Sequence, residues 1–156
     1  MASLKYKRKS NKLPTKRLKN LKEFSLSIGW FDAKYENGTP VAQVAMIQEF
    51  GLPEKNIPPR PFMRIAKLDH GNEWDRQMAD DMKLVHKGRA TQEGVLNELG
   101  KTIIRDIKQA IMNVVYPPLK EETLKNRRRK GNYSDKPLID TKRMFDSLTF
   151  KVEEKK

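Results

Sequence analysis

Residues 52–62 read Leu-Pro-Glu-Lys-Asn-Ile-Pro-Pro-Arg-Pro-Phe and hold four of the chain's nine prolines. Proline lacks an amide proton and has a fixed φ, so neither a helix interior nor a central strand can pass through this stretch. It predicts an extended loop, partly polyproline II, that separates the elements on either side. Ile57 and Phe62 flank its stiff part and suit apolar pockets. Phe62 fits a loop folded back on its own core, whereas the loop tip fits a rigid arm inserted into a partner. The candidate protein-interface residues are therefore Ile57, Pro58, Pro59, Arg60, Pro61 and Phe62.

Upstream of the loop, Phe24, Leu26, Ile28 and Trp30 alternate with small or polar residues, the period-two signature of a half-buried strand. Asn37-Gly38 marks a turn. Val41 to Phe50 has helical spacing, with Pro40 placed for a first turn and Gly51 for a C-terminal cap. Downstream, Trp74, Met78, Met82 and Val85 form one apolar stripe, and Leu96, Leu99, Ile103, Ile107, Ala110 and Val114 form a longer one. Two helices are expected over 63–115, broken near Gly88. The second is expected to end at Tyr116, before Pro117-Pro118. Gly94 and Gly100 only lower its local propensity. Thr123 to Lys130 reads as a short helix with few apolar residues to pack. Asp140 or Thr141 is placed to cap another through Met144 and Phe145, and Leu148, Phe150 and Val152 alternate as a closing strand. Pairing of the first and last strands predicts an α+β fold: a small antiparallel sheet packed on two long helices, over a single domain at residues 23–156.

Charge divides the chain differently. Lys and Arg total 33 against 20 Asp and Glu, a net charge of +13. Residues 1–22 contain nine of those cations and no acid, leaving a net charge of only +4 on the rest. A self-repelling segment of this kind reads as a mobile basic arm. Lys5, Lys7, Arg8, Lys9, Lys12, Lys16 and Arg17 are candidates for contact with DNA or an acidic partner, as are Arg127, Arg128, Arg129 and Lys130. A solubilising tail and a solvated loop are the plainer readings of these two segments.

Catalytic chemistry finds little support. There is no cysteine, so thiolate nucleophiles and disulfides are excluded. His70 and His86 stand sixteen apart without ligand spacing, and no metal or other cofactor is expected. Asp80-Asp81 with Glu73 or Glu93 is the nearest approach to a metal-ion nuclease site, but adjacent helical residues diverge and suit a polar face better. No phosphate loop or nucleic-acid recognition module is present, so any contact with nucleic acid is expected to follow the backbone. Neither a membrane-length apolar run nor a secretory leader is apparent.

Two separated segments carry a family resemblance. Val41-Ala42-Gln43-Val44-Ala45-Met46-Ile47-Gln48-Glu49-Phe50-Gly51 is followed by Ile57-Pro58-Pro59-Arg60-Pro61-Phe62-Met63-Arg64. Pro137-Leu138-Ile139-Asp140-Thr141-Lys142-Arg143-Met144-Phe145-Asp146-Ser147-Leu148 comes later. In this order, over roughly residues 24–152, the chain resembles the tail-completion or neck proteins of long-tailed phages and prophages, the virion morphogenesis family. Lys142 departs from the pattern: it stands where that family usually has glycine, and lysine does not enter left-handed conformations cheaply. The resemblance implies a non-enzymatic virion protein, made in the host cytoplasm, that forms a homo-oligomeric ring at the head–tail junction. Its partners would be its own copies, neighbouring neck, connector and tail proteins, and the packaged DNA. On that reading Phe62→Ala weakens association and leaves the monomer folded. The alternatives are a sequence-independent nucleic-acid-binding accessory protein, or another neck component such as a tail terminator.

Overall fold

A computed structural model describes residues 22–155. Residues 1–21 of the basic arm, with its candidates Lys5, Lys7, Arg8, Lys9, Lys12, Lys16 and Arg17, lie outside the described residues, while its last cation, Lys22, pairs with Glu154 at 2.8 Å. The chain runs β1 (Phe24–Gly29), α1 (Val41–Phe50), a 3-10 turn (Pro53–Lys55), α2 (Phe62–His86), α3 (Gln92–Asn113), α4 (Glu121–Arg129), α5 (Arg143–Asp146) and β2 (Thr149–Glu154). The fold is α+β. β1 and β2 pair antiparallel, with Leu26 opposite Val152 and Ile28 opposite Phe150. These four side chains share one face because strand side chains alternate.

The long helix α3 supports that ribbon and also packs along α2. Its apolar stripe is buried throughout: Leu96, Leu99, Ile103, Ile107 and Ala110, then Val114 just past its end. Gly100 has a positive role here beyond its low helix propensity. A Cβ at this position would come within 2.7 Å of the Phe150 ring, so glycine lets the sheet settle onto the helix. On the other side Trp74 of α2 packs on the core and donates its indole N–H to Asp106 of α3 at 2.8 Å. The bond gives the buried Asp106 carboxylate a partner it requires.

Three boundaries differ from the sequence expectation. α3 ends at Asn113 rather than Tyr116, with Val114 already extended. Tyr116 is barred from helix by the following proline, and the early exit carries the carbonyls of Pro117 and Pro118 to Arg60. Thr123 to Lys130 becomes α4, beginning two residues earlier at Glu121. Glu121 and Glu122 sit at its positive end and Arg127, Arg128 and Arg129 at its negative end, so the macrodipole favours a helix poor in apolar residues. The cap of α5 falls on Lys142 rather than Asp140 or Thr141, although Thr141 Oγ1 still lies 3.4 Å from the Arg143 amide.

Lys142 has a φ of 58°, in the left-handed region that glycine occupies without a steric penalty. Lys142→Gly is therefore expected to stabilise the fold by about 0.5–1 kcal/mol, the steric relief outweighing glycine's greater freedom in the unfolded chain. Urea denaturation measures it directly; an unchanged or lower midpoint would show that the lysine bears no strain.

Candidate functional site

The proline segment is a closed elbow, which corrects the extended reading. Leu52 and Ile57 exchange two backbone hydrogen bonds, at 2.8 and 3.1 Å, around the 3-10 turn. Asn56 closes that turn with a φ of 52°. Asparagine tolerates the left-handed region better than most residues. Gly51 (φ 79°) hinges the elbow onto α1, and a Cβ there would fall 2.9 Å from both the Ile57 carbonyl oxygen and the Pro59 nitrogen. No other residue fits without moving backbone.

The sequence starting α2 offers no side-chain cap, because Pro61 occupies the cap position. Glu49 of α1 supplies one from outside the helix. Its buried carboxylate accepts the Met63 amide at 2.9 Å and the Arg64 amide at 3.2 Å. Arg64 Nε donates to the same group at 2.9 Å. A carboxylate at a helix N-terminus meets both unpaired N–H groups and the positive end of the dipole. Glu49 was not among the sequence candidates. The available signal was an acid ahead of a helix that opens on proline and so lacks a cap of its own.

Arg60 and Phe62 do not belong to an exposed arm. Phe62 is wholly buried and meets Trp30 edge-on, with ring centroids 6.0 Å apart. Arg60 is 6% exposed. Its amide donates to the Gln48 carbonyl at 2.6 Å, and its side chain reaches Gln48 Oε1 and the carbonyls of Pro117 and Pro118 at 3.3, 3.1 and 3.5 Å. Burial, with the nearby positive charge of Arg127, holds its pKa below the ordinary arginine value. The surface of the elbow is instead made by Pro53, Glu54, Lys55, Asn56 and Pro59, with Ile57, Pro58 and Pro61 partly exposed. The two helices that flank it carry exposed apolar side chains that the sequence reading passed over: Met46 and Phe50 on α1 and Leu68 on α2. The Arg64 guanidinium lies 5.1 Å from the centre of the Phe50 ring.

Arg127 is likewise withdrawn from the basic tip. It is buried, and its guanidinium donates to the carbonyls of Lys136, Pro137 and Ile139 at 2.8, 3.0 and 3.0 Å, and to that of Ser134 at 3.3 Å. The side chain fixes the Pro-Leu-Ile-Asp segment onto α4. Arg128, Arg129 and Lys130 remain exposed.

An open groove of about 1030 Å³ lies between the turn at 34–40, α1 and residues 137–144. Tyr35 stands in it. Burial pushes its hydroxyl above the ordinary tyrosine pKa of 10.0, Asp140 adding to the rise and Arg143 opposing it. A raised acid pKa means the folded state favours the neutral phenol. That stabilisation is complete below pH 10.0 and is lost as pH rises through the folded value. Absorbance titration is expected to show one of the four tyrosines ionising late, and Tyr35→Phe to abolish that late phase. A late phase that survives the substitution would refute the assignment.

The residues suggested for metal-ion chemistry form no cluster. Asp80 is exposed and bonded to Lys83 at 2.6 Å, which holds its carboxyl below the usual range, and Glu73 faces His70 at 3.3 Å. Among the described residues no helix is long and apolar enough to cross a membrane. Comparison with protein-family models, curated proteins and solved structures finds no significant match.

Proposed function

We propose that the chain is a structural virion protein of the phage head–tail junction, a neck or tail-completion subunit. It closes into a homo-oligomeric ring between the head connector and the tail and catalyses nothing. One observation carries the reading. The motif segments, far apart in sequence, converge: α1 contacts α5, and Val41, Ala45 and Phe62 share one core with Leu138, Ile139, Met144 and Leu148, while Arg60 locks the elbow and Arg127 locks Pro137 to Ile139. Motifs that meet in space behave as one structural unit, and that unit presents an exposed tip flanked by helices that carry exposed apolar side chains.

Head-to-tail rings place one patch against a different patch on the next copy. The elbow tip with Met46, Phe50 and Leu68 supplies one patch. Its geometry is fixed before association, so little ordering entropy remains to oppose binding. Arg128, Arg129 and Lys130, repeated around the ring, place positive charge toward the packaged DNA or acidic neighbours. The nine cations of residues 1–22 favour a second reading, a sequence-independent nucleic-acid-binding accessory protein whose affinity falls steeply with salt.

Removing the gene from its phage tests the proposal. DNA-filled heads and complete tails should accumulate unjoined, and the wild-type chain should restore joining. Phe50→Asp with Leu68→Asp should fold, because both side chains are exposed, yet fail to restore it. Normal joining without the gene, or full rescue by the double variant, would contradict the proposal.

A further inference from the structure

We infer that the groove beside Tyr35 is a docking site for an extended acidic segment of another protein. Four exposed cations line it, Lys34, Lys130, Lys142 and Arg143, against two exposed carboxylates, Glu36 and Asp140. Asp140 is already engaged: it accepts Asn132 Nδ2 at 2.9 Å and lies 3.4 Å from Arg127 Nε. Arg143 Nε donates to the Lys34 carbonyl at 3.1 Å, holding the turn in place. The ammonium groups of Lys34, Lys130 and Lys142 have neither a hydrogen bond nor an ion pair among the described residues. The groove therefore presents a net positive charge that its two carboxylates only partly offset.

Its lining selects among anions. Val44, Leu138 and Met144 are its apolar lining residues, and Tyr35, Thr39 and Thr141 add hydroxyls. A duplex phosphate track would meet the charges and leave the apolar lining unfilled. An extended peptide turns successive side chains to opposite sides, so apolar residues fill the lining, carboxylates reach the lysines, and backbone amides meet the hydroxyls. The volume reaches the upper end of the roughly 300–1,000 Å³ usual for small-molecule pockets, and the groove is open along one side. That shape suits a length of chain better than an enclosed ligand. Residues 1–21, which lie outside the described residues, contain no acid, and the acids of the described residues belong to the fold itself, so the occupant comes from a different protein. The inference holds whether or not the chain forms a ring.

The probe is a fluorescein-labelled peptide of alternating glutamate and leucine, titrated against the full chain and followed by anisotropy. Binding should saturate. Lys34→Glu with Lys130→Glu should weaken it about tenfold at an unchanged melting temperature, since both side chains are exposed and free. A peptide with lysine in place of glutamate should not bind. No binding to the wild type, or equal binding to the double variant, overturns the inference. So does a short DNA duplex that binds more tightly than the peptide and loses affinity in the same variant, because the groove would then serve nucleic acid.

Discussion

Phe62→Ala is expected to destabilise the monomer by about 3–5 kcal/mol, a large part of the total stability of a domain this size. The side chain is wholly buried, so truncation removes both its transfer free energy and its contacts, and leaves a cavity that the fixed proline backbone before it cannot collapse to fill. The edge-on contact with Trp30 is lost as well, and Trp30 donates its indole N–H to the Met144 carbonyl at 2.7 Å, so the disturbance reaches α5. Urea or thermal unfolding of the purified monomer checks the value. This outcome replaces the sequence expectation of a folded monomer that merely associates poorly. A loss below about 1 kcal/mol would mean that Phe62 is not the anchor its burial implies.

Arg127→Ala should cost at least about 3 kcal/mol, or roughly 10 °C in melting temperature. The four carbonyls that share the guanidinium would lose a charged donor together, and those of Pro137 and Ile139 belong to buried residues. An unsatisfied buried acceptor costs more than a hydrogen bond gains. Arg127→Lys should recover less than half of the loss, because an ammonium is a compact donor and cannot span carbonyls held on both arms of a planar fork. Hydrogen exchange should show the extra opening concentrated in residues 133–141. Full recovery by lysine would mean that charge alone, rather than the fork, holds the segment.

Arg60 and Arg127 mark where sequence reasoning stops, whereas the reading of Phe62 as folded back on its own core agrees with its burial. Alternation at Phe24 to Trp30 and at Leu148 to Val152 was enough to place both strands and pair them. The spacing of Leu96 to Val114 was enough to find the central helix, and Pro40 and Gly51 bounded α1. Periodicity is a local property, and these elements announce it locally. Arg60 and Arg127 announce nothing of the kind. An arginine in a proline loop, or in a run of four cations, reads as solvent-exposed because charged side chains are seldom buried. The carbonyls that make burial tolerable come from Pro117-Pro118 for one and from Lys136 to Ile139 for the other, and only the tertiary fold gathers them. Glu49 is similar: its place at the head of α2 depends on how Gly51 turns the chain. The exposed face of Met46, Phe50 and Leu68 was hidden for the opposite reason. On paper these residues pass for core, and only the packing of α1 and α2 shows that they are left outside.

The most direct measurement of the proposed role is an electron cryo-microscopy reconstruction of the complete phage particle. It should place the chain in a closed ring at the head–tail junction, with the elbow tip at Pro53 to Asn56 and the Phe50 and Leu68 side chains pressed against the next copy. Density for the chain anywhere else in the particle, or a ring in which that tip and those side chains touch nothing, would contradict the account.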